Sequence, residues 1–251
     1  MEFFLRVDYA DISLLGGREE NQDRVAVAAS EHAALLVVVD GMGGHANGAK
    51  AAEVTQQVIL DAFGQTPHPL FDPMGFLHLT LGRAHEEVVK LGAQLPIEHR
   101  PRATCAVCLV QQGAAWWAHI GDSRLYHLRH GGLVFRSRDH SHVELLLREG
   151  LITADQAQTH PMRNFVECCL GGDPIVPDMT LTRRRALEPN DVLLVCTDGF
   201  WAGVKDSEIA GEVGAPGVAL KEKLLELAQR AVMRTGAASD NTSVAAVRWV
   251  G

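Results

Sequence analysis

An α+β fold, with antiparallel sheets lying under outer helices, is the class this sequence predicts. Its strand-like runs are apolar and β-branched, and they arrive in blocks separated by helical segments. One-for-one alternation would instead point to a doubly wound parallel sheet. With 251 residues, 47% of them hydrophobic, the chain can bury a large core. No linker, low-complexity tract or repeat divides it, so a single domain over 1–251 is expected.

In chain order, strands are predicted at about 2–13, 24–29 and 33–39. A helix from Ala46 to Phe63 follows a glycine turn, and Pro73 to Leu91 repeats apolar residues at three- and four-residue spacing. Strands return at 103–110, 114–120, 124–129 and 132–136. The segment of about 139–170 is a helical excursion rich in His and charge. Within it Gly150 ends one short helix, Thr153-Ala154-Asp155-Gln156 forms a capping box for the next, and His160-Pro161 closes the stretch. It reads as a lid or as an ordinary surface connection. Strands at 179–185, 191–196 and 242–250 and a helix over Val218–Met233 complete the chain.

The formal charge of −8 argues against a nucleic-acid surface, because phosphate backbones are bound by clustered Lys and Arg. An acidic chain that handles phosphate needs cations to recruit it. The Met1–Asp8 start carries acids where a signal peptide carries bases, and no run approaches the roughly 20 apolar residues that span a bilayer. A soluble cytoplasmic protein with no membrane or nucleic-acid partner is expected. Five cysteines in apolar stretches read as reduced core residues, and alternation puts Cys105 and Cys108 on opposite faces of one strand.

The chemistry is carried by aspartates at strand ends. Asp40-Gly41-Met42-Gly43-Gly44 follows the apolar run 33–39, and Asp198-Gly199 and Asp240-Asn241 lie in similar settings. Each alone reads first as a hairpin turn. Several converging ends would instead offer carboxylate and carbonyl oxygens to a hard cation, Mg²⁺ or Mn²⁺ before Zn²⁺. Order and spacing add weight: Gly17-Arg18-Glu19-Glu20-Asn21-Gln22-Asp23, Asp40 to His45, Gly121-Asp122-Ser123-Arg124-Leu125-Tyr126, Asp139-His140-Ser141, His160-Pro161, Thr197-Asp198-Gly199-Phe200 and Asp240-Asn241-Thr242-Ser243.

This set resembles the PP2C or PPM metal-dependent serine/threonine protein phosphatases of bacterial type, from end to end of the chain. The resemblance implies a four-layer αββα sandwich of two antiparallel sheets flanked by helices, with a flap at 139–170. It also implies hydrolysis of phosphoserine and phosphothreonine on proteins by direct attack of a water activated between two Mn²⁺ or Mg²⁺ ions, opposing a Ser/Thr kinase. In that reading Asp40 bridges the ions, the Gly41 carbonyl ligates one, and Asp198 and Asp240 complete the other. Asp23 orients metal-bound water, and Asp122 joins Asp198 at a third, weaker ion. Arg18 becomes the phosphate clamp, since a guanidinium forks onto two phosphoryl oxygens. By themselves, Arg18 reads as a solvated surface charge and Asp122 as a turn residue paired with Arg124.

The sequence also departs from the family pattern. Gln22 stands where some relatives carry Glu, and Met42 where eukaryotic relatives place a His proposed as general acid. For His45, His140 and His160, capping or packing competes with proton transfer. Pro101-Arg102-Ala103-Thr104 and Val166-Glu167-Cys168-Cys169-Leu170-Gly171 replace Met-Gly-Thr-Thr-like and Thr-Arg-Ala-Leu-Gly-like runs. The alternatives are a catalytically weak regulatory or binding module with the same sandwich, and a phosphoesterase of small molecules.

Overall fold

The computed structural model describes residues 4–42, 45–215 and 217–251. Gly43 and Gly44 of the aspartate-glycine motif, and the side chain of His45, lie outside them.

Two antiparallel sheets form the centre. One orders β1 (Val7–Leu14), β12 (Thr242–Trp249), β11 (Val192–Cys196), β6 (Arg124–Arg129) and β7 (Gly132–Arg136). The other orders β10 (Arg185–Ala186), β5 (Ala114–Ile120), β4 (Arg102–Gln111), β3 (Ala33–Met42) and β2 (Asp23–Ala29), with β8 (Leu170–Gly171) on β4 and β9 (Thr180–Leu181) on β5.

Strand alternation sends β3 side chains two ways. Leu35, Val37 and Val39 meet the outer helices α1 (His45–Gln65) and α2 (Pro73–Leu91), packing on Ile59, Leu77 and Leu81. Leu36 and Val38 meet Trp117, Val195 and Val247 between the sheets. On the opposite outer face Leu194, Val244 and Ala246 pack against α5 (Asp198–Trp201), α6 (Asp206–Val213) and α7 (Leu220–Thr235). The layers are therefore helix, sheet, sheet, helix. Cys105 faces the outer helices and Cys108 the inter-sheet core, as alternation requires. All five cysteines are free thiols.

Local signals account for most boundaries. In α2, Pro73 opens the helix and the Asp72 carboxylate accepts the Gly75 N–H at 3.0 Å. In the excursion, α3 (His142–Arg148) is followed by Gly150 at φ +70°, and Thr153 and Gln156 cap α4 (Ala154–Gln158) reciprocally. Two expectations need correction. Among the described residues the first strand begins at Val7, which pairs with Trp249 where β12 ends, and the expected start near residue 2 lies outside them. The run 179–185 is two short strands: Leu181 pairs with Ala118 and Arg185 with Ala115, so three residues oppose two and the ladder bulges. The short α5, α6 and β8 have too few residues for periodicity to reveal.

Asp191, at the entrance to β11, is a fully buried carboxylate outside the cleft. It accepts Nε and Nη2 of Arg129, each at 2.7 Å, Nε2 of His127 at 2.8 Å and the Glu188 N–H at 2.9 Å. Burial alone would raise its pKa; these bonds hold it below the ordinary value. Its stabilisation is therefore present above the unfolded carboxylate pKa and lost as pH falls. Asp191→Ala leaves the buried His127 imidazole without this partner and the half-buried Arg129 guanidinium with Glu188 alone, so urea unfolding should show a loss of about 1–3 kcal/mol. A loss below about 1 kcal/mol would contradict this account.

Candidate metal centre

Strand register delivers the aspartates to one end of both sheets. Asp23 at the start of β2 pairs with Asp40 near the end of β3, and Asp40 pairs with Thr104 on β4. Cys105 pairs with Ile120, so the Gly121-Asp122 turn that leaves β5 lies beside Thr104. In the other sheet Cys196 pairs with both Arg124 and Val244, and Thr197 N–H donates to Ser243 C=O at 3.0 Å. Asp198 and Asp240 thus flank one end of the β11–β12 pair. Leu14 pairs with Thr242, which brings the 15–22 loop over the same end.

Close packing secures these positions. Gly41 leaves no room for a side chain: a Cβ there would stand 2.0 Å from the Gly48 carbonyl oxygen and 2.9 Å from that of Gln22. The N-terminal half of α1 can therefore lie directly against the Asp40-Gly41 backbone. Asn241 secures the loop, accepting the Gln22 N–H at 2.8 Å and donating to the carbonyls of Leu15 at 2.8 Å and Glu20 at 3.0 Å. Gly17 N–H adds a bond to Ser239 C=O at 3.0 Å.

The result is a cleft of about 530 Å³ lined by Arg18, Gln22, Asp40, Gly41, Met42, Asp122, Asp198, Asp240 and Asn241, with Asn164 and Val166 from the excursion. Asp23 is not among the lining residues. Its carboxylate lies behind them and accepts the Thr197 hydroxyl at 2.7 Å. Arg18 lines the cleft and donates from Nη2 to Asp240 at 2.6 Å, with its side chain still exposed to solvent. Asp122 is not paired with Arg124 as a turn residue would be. Arg124 makes a bidentate pair with Asp139 at 2.9 and 2.7 Å, lies 3.6 Å above the Trp201 ring, and Trp201 donates its indole N–H to the Asp122 carbonyl at 3.0 Å.

The electrostatics follow from crowding. Asp40 is pushed well above the usual carboxylate pKa by burial, then by Asp198, Asp23, Asp122 and Asp240. Burial, with Asp122 and Asp240 adding to it, raises Asp198 to about 8. Burial raises Asp23 to about 7 against the bond from Thr197, and raises Asp122 to about 6 with Asp139 contributing. Among the described residues no three Asp, Glu, His or Cys side chains are already closed around one point. Like charges stand apart until protons or a cation intervene. An all-oxygen donor set that gathers negative charge, with Arg18 the cation bonded to it, fits a hard divalent ion.

The histidines take other roles. His160 Nδ1 accepts the Met162 N–H at 3.2 Å, and His140 bonds Gly121 and Thr180, so neither lines the cleft. Met42 does, and it carries no proton to donate. Sequence reasoning marked Val166 only as part of a run that departs from the family pattern, and assigned no part to Asn164, Trp201 or the Asn241 bracket. Asn241 lies inside a matched motif, whereas Asn164 and Val166 reach the cleft only through folding.

The "Protein phosphatase 2C" family model matches residues 15–231. The chain is 32% identical over 232 residues to serine/threonine protein phosphatase PstP of Mycobacterium tuberculosis, covering 90% of this chain and 42% of that one. It is 31% identical over 196 residues to serine/threonine phosphatase Stp of Listeria monocytogenes, covering 76% and 77%. Among solved structures, the catalytic domain of PstP in complex with two manganese ions superposes with a TM-score of 0.81 at 27% identity, covering 98% and 99%.

Raised carboxylate pKa values give a signed expectation for stability. Each group binds its proton more tightly in the folded state, so its contribution is full below the unfolded value, near 3.8, and is lost as pH rises through about 6 to 8. A divalent ion replaces those protons. Thermal unfolding with and without Mn²⁺ should therefore show a larger Tm gain at about pH 8 than at about pH 5.5. An equal gain at both would place the ion elsewhere.

Proposed function

Because the chain belongs to the protein phosphatase 2C family, we propose that it is a Mn²⁺- or Mg²⁺-dependent protein phosphatase acting on phosphoserine and phosphothreonine, with the products of a Ser/Thr kinase as its substrates. The observation that carries this reading is the meeting of Asp40, Asp122, Asp198 and Asp240 with one guanidinium, Arg18, in a single cleft. Two ions would be held by Asp40, the Gly41 carbonyl, Asp198 and Asp240, and a third, weaker one by Asp122 with Asp198. When bound, they would supply charge neutralisation and lower the pKa of water.

The protein's own residues do the rest. Arg18 binds the phosphoryl group, exchanging its bond to Asp240 for a fork onto two phosphoryl oxygens. Asp23, held by the Thr197 hydroxyl behind Asp40, orients the attacking water through the carboxylates in front of it. Asn241 and Gly17 keep the Arg18 loop at the cleft mouth. Asn164 and Val166 form the wall nearest an incoming peptide. Phosphate-monoester hydrolysis is among the slowest uncatalysed reactions, so placement of charge is the main requirement.

Turnover of a phosphothreonine peptide and of an aryl phosphate, each with and without Mn²⁺, tests the proposal. Peptide turnover that needs the metal and exceeds aryl phosphate turnover is expected; aryl phosphate alone would indicate a small-molecule enzyme, and no turnover a binding module. Asp40→Asn and Asp198→Asn should each reduce kcat by at least about 10²-fold while the circular dichroism spectrum stays unchanged. Near-normal kcat in either variant at saturating Mn²⁺ removes that residue from the ligand set. Arg18→Ala should raise KM for the phosphopeptide about tenfold with a smaller loss of kcat, and Arg18→Lys should recover only part of it. An unchanged KM would leave Arg18 as a partner of Asp240 alone.

A further inference from the structure

Asp122 occupies the cleft on a turn whose far side is held by Ser123, its hydroxyl 2.7 Å from that of Thr104. Gly121 sits at φ +95°, and a Cβ there would stand 2.5 Å from the Thr104 side chain. The turn is therefore both conformationally special and tightly seated. One residue holds Gly121 at both of its polar groups. His140 donates its backbone N–H to the Gly121 carbonyl at 2.9 Å, and its ring Nδ1 lies 3.3 Å from the Gly121 N–H. An amide N–H can only donate, so Nδ1 is the acceptor and the ring proton is on Nε2. Nε2 then donates to Thr180 Oγ1 at 2.9 Å, tying the ring to β9. Burial, reinforced by the His119 ring stacked at 4.6 Å, pushes His140 down to about 4, which keeps it neutral.

The backbone carbonyl of His140 faces the excursion. It accepts the Glu167 N–H at 2.8 Å, Ser141 bridges Val166, and His142 N–H donates to Phe165 C=O at 3.0 Å. Val166 and Asn164 line the cleft. A single residue thus joins the Asp122 turn to the returning edge of the excursion, while Trp201 holds the Asp122 carbonyl from the other side.

We propose that His140 is a positioning residue for the weak cation site: its neutral Nε2–H tautomer fixes Gly121, aims Asp122 into the cleft and couples that aim to the seating of residues 164–167. The inference rests on the reading of Asp122 as a cation ligand. Its role resembles that of outer partners of metal ligands, whose loss typically weakens affinity about 10–100-fold.

Calorimetric Mn²⁺ titration of the wild type, Asp122→Ala, His140→Ala and His140→Asn separates the two claims. Asp122→Ala should abolish the weak site alone; if it does not, the ligand reading of Asp122 fails first. Given that loss, His140→Ala should weaken the same site about 10–100-fold and leave the tight sites unchanged. His140→Asn places Oδ1 near the position of Nδ1 and should restore affinity to within about threefold. Wild-type weak-site affinity in His140→Ala, or no recovery in His140→Asn, overturns the inference. Should His140→Ala fail to fold, ¹⁵N imidazole shifts of the wild type decide: a bare Nδ1 with a protonated Nε2 supports the role, and the reverse tautomer or a doubly protonated ring overturns it.

Discussion

Mutual repulsion among carboxylates at one end of the sandwich is the constraint on which the rest of this structure depends. Asp23, Asp40, Asp122 and Asp198 all have raised pKa values, with burial as the first cause and neighbouring aspartates among the others. Nothing local would hold such a group together. It is held by the register of two sheets, each fixed by cores on both faces, so that a one-residue slip would invert every buried strand residue.

The price is visible in the surroundings of the cleft. Arg18 is bonded to Asp240, Thr197 donates to Asp23, and the Asn241 side chain makes three bonds that bracket the loop. Farther out, the Arg124–Asp139 pair and the Trp201 ring form a platform beneath Asp122. These contacts are charge-assisted or buried, the kinds that contribute most per bond. A region destabilised by like charge is thereby made stiff enough to keep its carboxylates in place.

Specificity is expected where the chain departs from its family. The run Glu167-Cys168-Cys169 lies directly after Val166, which lines the cleft together with Asn164. Of the departing run, 166–171, Val166 is the residue that lines the cleft. Met42 also lines the cleft and offers no acid, which leaves proton supply to groups other than that side chain.

Much of this protein was legible in its sequence. Strand blocks separated by helices indicated antiparallel sheets, and Pro73, Thr153 and Gly150 marked helix ends because capping chemistry is local. The spaced motifs around Arg18, Asp40, Asp122, Asp198 and Asp240 marked the cleft residues, because a strand end followed by Gly or Asn has a chemical signature of its own. Tertiary structure decided what local pattern does not encode. It placed Asp23 behind the cleft, paired Arg18 with Asp240, gave Arg124 to Asp139 and made His140 the link between Gly121 and the excursion. Those outcomes are set by contacts between segments up to 222 residues apart in the chain, whose geometry exists only once both sheets have closed.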